Sequence, residues 1–385
     1  MIKTAFIAAV AAALFVGSVA VAAPGGPEKA FAPIPSATQA LMSARDTQAG
    51  APILMRAFKK EAELEVWKLA RNGRYVLLKT FPICRWSGQL GPKLKTGDRQ
   101  APEGFYSVTS KQMNPNSAYH LSFDLGYPNA YDRAHGATGS FLMVHGICSS
   151  MGCYAMTDEQ ISEIYALARE AFAGGQRAFQ FQSYPFRLTA ANMARARSEP
   201  HIDFWRQLKV GYDRFEGSGE EPAVGVSGGR YSFAPYRNPE REAASQARIA
   251  AETEKTVALV ADGVAAIRVT YQDGGMHATF VSLNRRGVPL GPVSRPEALA
   301  FAGKELVITP ARVKPPLPPI NVARMSDPAH AAAPADRNLV AMFARTPLAP
   351  GGMAAIVPVM TGSLAAIVPA TFAPSKLDRL ALRGA

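Results

Sequence analysis

The segment Met143-Val144-His145-Gly146-Ile147-Cys148-Ser149-Ser150-Met151-Gly152-Cys153-Tyr154-Ala155 sets an imidazole at the end of an apolar run and a thiol just after a glycine. A free thiol, with a pKa of about 8.5, is mostly protonated at neutral pH, so a nucleophilic cysteine needs a neighbouring base or a helix N-terminus to favour its thiolate. Cys153 is the candidate nucleophile and His145 its candidate base. Phe141 to Val144 suits a short buried strand that would hold His145 at its tip. Gly146 and Gly152 permit tight turns, and the amides around Gly152 and Cys153 could face a developing oxyanion. Ser150 is expected to brace this loop through its side chain. Beyond Cys153, Thr157 and Gln160 form a capping-box pattern. Ile161, Ile164, Tyr165 and Ala168 then recur at helical spacing until Gly174-Gly175.

This arrangement resembles the L,D-transpeptidase catalytic domain (YkuD-like), in which an apolar strand ends in His-Gly and a loop leads to Ser-His-Gly-Cys. The resemblance is closer to the YafK branch of murein L,D-transpeptidases, with its Gly-Cys-x-Ala/Ser-Met followed by Thr-Asp. It spans roughly Pro52 to Leu188 and includes Ala101-Pro102-Glu103-Gly104-Phe105-Tyr106 and Tyr127-Pro128-Asn129-Ala130-Tyr131-Asp132-Arg133. Two departures stand out. Met151 occupies the place of the histidine in Ser-His-Gly-Cys. Only four residues separate His145 from Ser150, whereas fourteen separate His135 from it, which is nearer the wider family's spacing. Placement after an apolar strand still favours His145, because base geometry follows from rigid positioning. His135 sits in the polar stretch Asp132 to Ala137.

The resemblance implies two-step acyl transfer on peptidoglycan stem peptides through a thioacyl-enzyme. Cys153 would attack the carbonyl of the diamino acid at the third position and a terminal D-alanine would leave. Arg133 and Gly146 are the candidates on the substrate side, although a surface or structural arginine is the plainer reading of Arg133. An amidase of the same family, hydrolysing the link between wall peptide and lipoprotein, is the alternative within this chemistry. A non-catalytic wall-binding module is the alternative outside it. No metal or organic cofactor is implied, and carbapenem-type β-lactams are expected to label Cys153. A zinc site built from His135, His145, Cys148 and Cys153 is the competing use of these ligands, but no paired Cys-x-x-Cys framework supports it.

The compartment follows from the chain's start. Lys3 precedes a mostly apolar, alanine-rich stretch from Ala5 to Ala23, with Ala20-Val21-Ala22 fitting signal peptidase cleavage. Residues 1–22 therefore read as an export signal, and the mature protein as periplasmic and not integral to the membrane. An uncleaved anchor is the alternative. The formal charge of +12 then points to anionic wall polymer, carboxylate-bearing peptides or an acidic membrane face, or simply to a solvated basic surface. The Lys and Arg residues are scattered and no nucleic-acid motif is present. Cys84, Cys148 and Cys153 are an odd set in an oxidising compartment. Cys84 and Cys148 are candidates for a bridge, leaving Cys153 free.

At 385 residues, 48% of them apolar, the chain can build a large core. The expected class is α+β: a mainly β catalytic domain over 51–216 with a helix after the nucleophile. A flexible Pro/Ala-rich lead (23–50) precedes it. Leu64 to Leu69 and Tyr75 to Leu78 should form a hairpin about Asn72-Gly73, with further strands at Phe105 to Val108, Tyr119 to Phe123, Phe141 to Val144 and Phe179 to Gln182. Helices are expected over 189–196 and 201–215. Residues 217–238 read as a linker. An accessory module (239–309) should contain a helix from Pro239 to Ala261 and a hairpin from Ala266 that turns at Asp273-Gly274-Gly275 and returns through Met276 to Val281. The Pro/Ala-rich tail (310–385), with Ala-Ala-Ile-Val-Pro at 354–358 and again at 365–369, reads as disordered or extended.

Overall fold

A computed structural model describes residues 26–311. The export segment 1–22, the start of the lead, and the tail from residue 312 lie outside the described residues. Helix α1 (Ser36–Ala44) precedes the antiparallel meander β1 (Ile53–Phe58), β2 (Glu63–Leu69) and β3 (Tyr75–Pro82). The β2–β3 hairpin turns where expected, with Gly73 at φ 72° and Asn72 Oδ1 accepting from the Arg74 N–H. Short strands follow: β4 (Arg85–Trp86), β5 (Gly104–Thr109), β6 (Met113–Asn114) and β7 (Ser122–Asp124). Then come α2 (Ala130–Ala134), β8 (Met143–His145), β9 (Tyr154–Ala155), α3 (Asp158–Ala173) and β10 (Ala178–Tyr184).

Two five-stranded sheets result, ordered β3-β2-β1-β10-β5 and β4-β9-β8-β7-β6. Aromatic side chains join them. Phe123 of β7 meets Phe179 and Phe181 of β10 at 5.6 and 6.4 Å, and Tyr154 of β9 meets Phe181 at 5.8 Å. All six residues of β1 are buried, as befits a central strand covered on both faces. Helix α3 starts with the expected capping box, Thr157 and Gln160 bonding reciprocally. Its buried stripe is Ile161, Ile164, Tyr165, Leu167 and Ala168. The fold is thus α+β with a mainly sheet core and a helix shortly after Cys153.

Several expectations are corrected. From residue 26 the lead is ordered, because Ala30, Ile34 and Met42 are buried and Arg169 of α3 donates to the carbonyls of Ala30 and Ala32. After α4 (Ala190–Arg195) and α5 (Ile202–Ser218), the supposed linker 217–238 folds as a hairpin, β11 (Val224–Ser227) with β12 (Arg230–Phe233). Tyr231 and Phe233 bury their rings against Phe105, at 5.2 and 5.6 Å, so aromatic packing outweighs the glycine-rich composition. Helix α6 (Pro239–Ala261) has the expected bounds and is tied to α5 by Arg214–Glu242 at 2.7 Å and Lys209–Glu252 at 3.3 Å.

The later hairpin differs in its partner. Strand β13 (Ala266–Thr270) pairs with β14 (Lys304–Thr309), while the residues after Met276 enter α7 (Ala278–Arg285). Gly274 and Gly275 serve close packing: a Cβ on Gly274, at φ 67°, would lie 2.0 Å from the Trp86 carbonyl oxygen. The turn is thereby docked on β4, and Asp273 comes to rest among Arg85, Arg99 and Arg295.

Candidate active site

Sheet register brings the candidate pair together. Strand β8 runs parallel to β9 with Val144 opposite Tyr154 and His145 opposite Ala155. Stepping back one residue sets Met143 beside Cys153, and the Met143 N–H points at Cys153 Sγ from 3.4 Å. Side chains alternate along a strand, so Met143, His145 and Cys153 share one face while Val144 and Tyr154 enter the core. On that face His145 and Cys153 both line a cavity of about 340 Å³ with Lys93, Tyr119 and Met151.

The imidazole is fixed from two sides. His145 is 3% exposed, its ring lies 4.7 Å from that of Tyr119, and its Nδ1 is 2.5 Å from the Gly146 carbonyl oxygen. A carbonyl only accepts, so the ring proton sits on Nδ1 and the Nε2 lone pair is left to act as a base. Burial lowers the pKa of His145, with the Gly146 bond pulling the other way. Burial also pushes the Cys153 thiol up to about 11, opposed by the Met143 N–H. Both shifts favour the uncharged forms, since desolvation disfavours a thiolate and an imidazolium alike.

Ser150 organises the loop as expected. Its Oγ donates to the Cys153 carbonyl at 2.7 Å and accepts from the N–H groups of Cys153 and Gly152 at 3.1 and 3.3 Å. Those amides, expected to serve an oxyanion, are thus occupied by Ser150 in the resting protein. Gly152 has φ 127°, a conformation side chains resist. Gly146 has a packing role, since a Cβ there would meet Asp158 Oδ1 at 2.6 Å and the Tyr119 carbonyl oxygen at 2.9 Å.

Other candidates lie elsewhere. His135 caps the end of α2, stacked on Tyr131 at 4.1 Å with Nδ1 bonded to the Tyr131 carbonyl at 2.9 Å. Arg133, on the same helix, is exposed, donates to the Pro128 carbonyl and does not line the cavity. Cys84 and Cys148 form a disulfide with both residues buried, and Cys153 is the free thiol. The zinc alternative thereby loses Cys148 to the bridge and His135 to α2. Among the described residues, no group of three or more His, Cys, Asp or Glu could hold a metal ion.

Phe141 also departs from expectation. It is 73% exposed with φ 56°, because the buried Leu142 already turns its carbonyl to the Leu125 N–H and the strand begins only at Met143. Sequence reasoning missed Lys93 and Tyr119. Tyr119 lies on the turn before β7, and Lys93 on a loop about fifty residues upstream of His145, where no motif marks either one.

Residues 60–173 match the family model of the L,D-transpeptidase catalytic domain, YkuD. The chain is 47% identical over 182 residues to YafK of Escherichia coli (strain K12), whose name assigns L,D-transpeptidase activity without establishing it. That match covers 47% of this chain and 74% of YafK. Among solved structures, the helical cell shape determining protein Pgp2 from Campylobacter jejuni aligns at a TM-score of 0.28 and 13% identity, over 60% of this chain and 80% of that one. Bd1075 of Bdellovibrio bacteriovorus aligns at a TM-score of 0.25 and 20% identity, over 36% and 50%.

Proposed function

Since the chain belongs to the L,D-transpeptidase catalytic-domain (YkuD) family, we propose that it is a cysteine-dependent acyltransferase acting on peptidoglycan stem peptides in the periplasm. The observation that carries this reading is the shared sheet face and cavity of Cys153 and His145, with Nε2 as the nitrogen free to take a proton. Sγ attacks the stem-peptide carbonyl as Nε2 accepts the thiol proton. The C–N bond then breaks, and the leaving amine of D-alanine takes that proton back from His145. An acceptor amine next attacks the thioester, the C–S bond breaks, and the thiol is restored. Water as acceptor would make the same centre a hydrolase.

Burial that favours the uncharged thiol and imidazole suits this order of steps, because an amide carbonyl must enter before charge is worth creating in a partly desolvated site. Among the described residues no helix is long and apolar enough to cross a membrane. The periplasmic assignment rests on the export-signal pattern at residues 1–22. Tetrapeptide muropeptides and lipoprotein-linked muropeptides, each incubated with the purified mature chain and followed by mass spectrometry, separate the outcomes. Crosslinked or exchanged peptides support the transferase and released wall peptide supports the amidase. Unchanged material bound to sacculi would leave only a wall-binding module. Cys153→Ala should abolish either reaction.

A further inference from the structure

The nucleophile loop is held from a part of the chain far from the catalytic motif. Ser294 lies on the segment between α7 and the turn Pro296–Phe301, 144 residues beyond Ser150. Its Oγ accepts from the Ser150 N–H at 2.9 Å and donates to the Ser150 carbonyl at 3.0 Å, so one hydroxyl holds both backbone groups of that residue. Ser150 in turn fixes the Cys153 main chain at both its N–H and its carbonyl. Ser294 is itself anchored, because its carbonyl accepts from Arg85 Nε at 3.1 Å and Arg85 is fully buried. The Ser150 carbonyl takes a second donor, Arg99 Nη2 at 3.2 Å, and the same nitrogen binds Asp273 at 2.7 Å. Arg295 follows Ser294 in the left-handed region, at φ 46°, a conformation that costs a non-glycine residue about 1 kcal/mol or more. Such a turn persists only when its surroundings hold it.

We propose that Ser294 is a positioning residue for Cys153, acting through Ser150, and that the segment after β13 is thereby a working part of the catalytic centre. This rests on the reading of Cys153 as the nucleophile. A hydroxyl that holds Ser150 at both backbone groups fixes where Ser150 Oγ lies, and Oγ fixes the direction in which Cys153 presents its sulfur to the cavity. Loss of the hydroxyl takes the acceptor from the Ser150 N–H and one donor from its carbonyl, leaving Arg99 on the carbonyl and Ser87 Oγ on the side chain, so Ser150 is held less closely while the disulfide at Cys148 keeps the rest of the loop in place.

The test compares Ser294→Ala and Ser294→Thr in the full mature chain by two readouts. One is the rate of Cys153 alkylation by iodoacetamide between about pH 6 and 11, with the modified peptide identified by mass spectrometry. The other is kcat and KM on tetrapeptide muropeptide. Alanine is expected to lower kcat about ten- to a hundred-fold with KM within about three-fold, and to move the alkylation profile. Threonine, which keeps the hydroxyl, should restore both. An alanine variant that melts earlier but keeps kcat and the alkylation profile would reduce Ser294 to a structural residue and overturn the proposal. Should the alanine variant not fold, Ser294→Asn carries the test, since its amide cannot place donor and acceptor at one point and should show the same loss of kcat. If the unaltered chain turns over no wall peptide yet the alkylation profile still shifts with alanine and returns with threonine, the positioning stands and the acyltransferase reading falls.

Discussion

His145 and His135 are bonded alike and placed differently. Each ring gives its Nδ1 proton to a backbone carbonyl and lies against a tyrosine, Tyr119 for the first and Tyr131 for the second. His135 closes a five-residue helix at the surface. His145 ends a strand whose parallel neighbour begins beside the thiol. Local hydrogen bonding therefore sets a tautomer, but sheet register is what brings His145, and not His135, to the cavity that Cys153 lines. Spacing along the chain does not carry that information, which is why counting residues favours the other imidazole.

The largest expected break of this comparison is His145→Ala, which should lower kcat/KM by about 10²- to 10⁴-fold while the fold survives. Retained activity in that variant, beside a dead His135→Ala, would exchange the two roles. Gly146→Ala comes next. The new methyl group would press on Asp158 Oδ1 and His120 Cβ, at 2.6 and 2.9 Å, and should cost about 1–3 kcal/mol in denaturant unfolding as well as displacing His145. Unchanged stability would show that the Gly146 carbonyl is not held where the imidazole needs it.

A pH series sharpens the contrast further. Burial lowers the pKa of His145 from its ordinary 6.5, so the neutral base persists below that pH and the acid limb of kcat/KM should have its midpoint below 6.5. The linked stability has the same sense: a depressed folded-state value contributes fully above the unfolded value of 6.5 and is lost as pH falls through the folded one. A limb centred above pH 7 would contradict a buried neutral imidazole. His135→Ala is the smallest effect, expected to change kcat/KM by less than about two-fold, as for a surface substitution away from the site.

Much of the frame was legible because it is locally encoded. The Thr157–Gln160 capping box, the Asn72-Gly73 turn and the alternation in β2 and β10 each depend on residues within one element. That His145 and Cys153 belong to one candidate site was suggested by the strand that carries the first and the glycine that precedes the second, and both line one cavity. What stayed hidden depends on closure of distant chain. Tyr119 reaches His145 through the turn before β7, and Ser294 meets Ser150 across 144 residues of chain, near Asp273 set among three arginines. The lead from residue 26 looked flexible because its prolines and alanines carry no period, yet three buried side chains are enough to fasten it. The Cys84–Cys148 bridge was one of several pairings open to an odd set of thiols, and only the approach of β4 to the loop selects it.

The most direct test is mass spectrometry of the intact mature chain quenched in acid during reaction with a tetrapeptide muropeptide. An acyl adduct mapped to Cys153, formed with release of D-alanine and strongly reduced in His145→Ala, is the expected result. Turnover of the muropeptide without any adduct on Cys153, or an adduct that forms equally well in His145→Ala, would contradict the account.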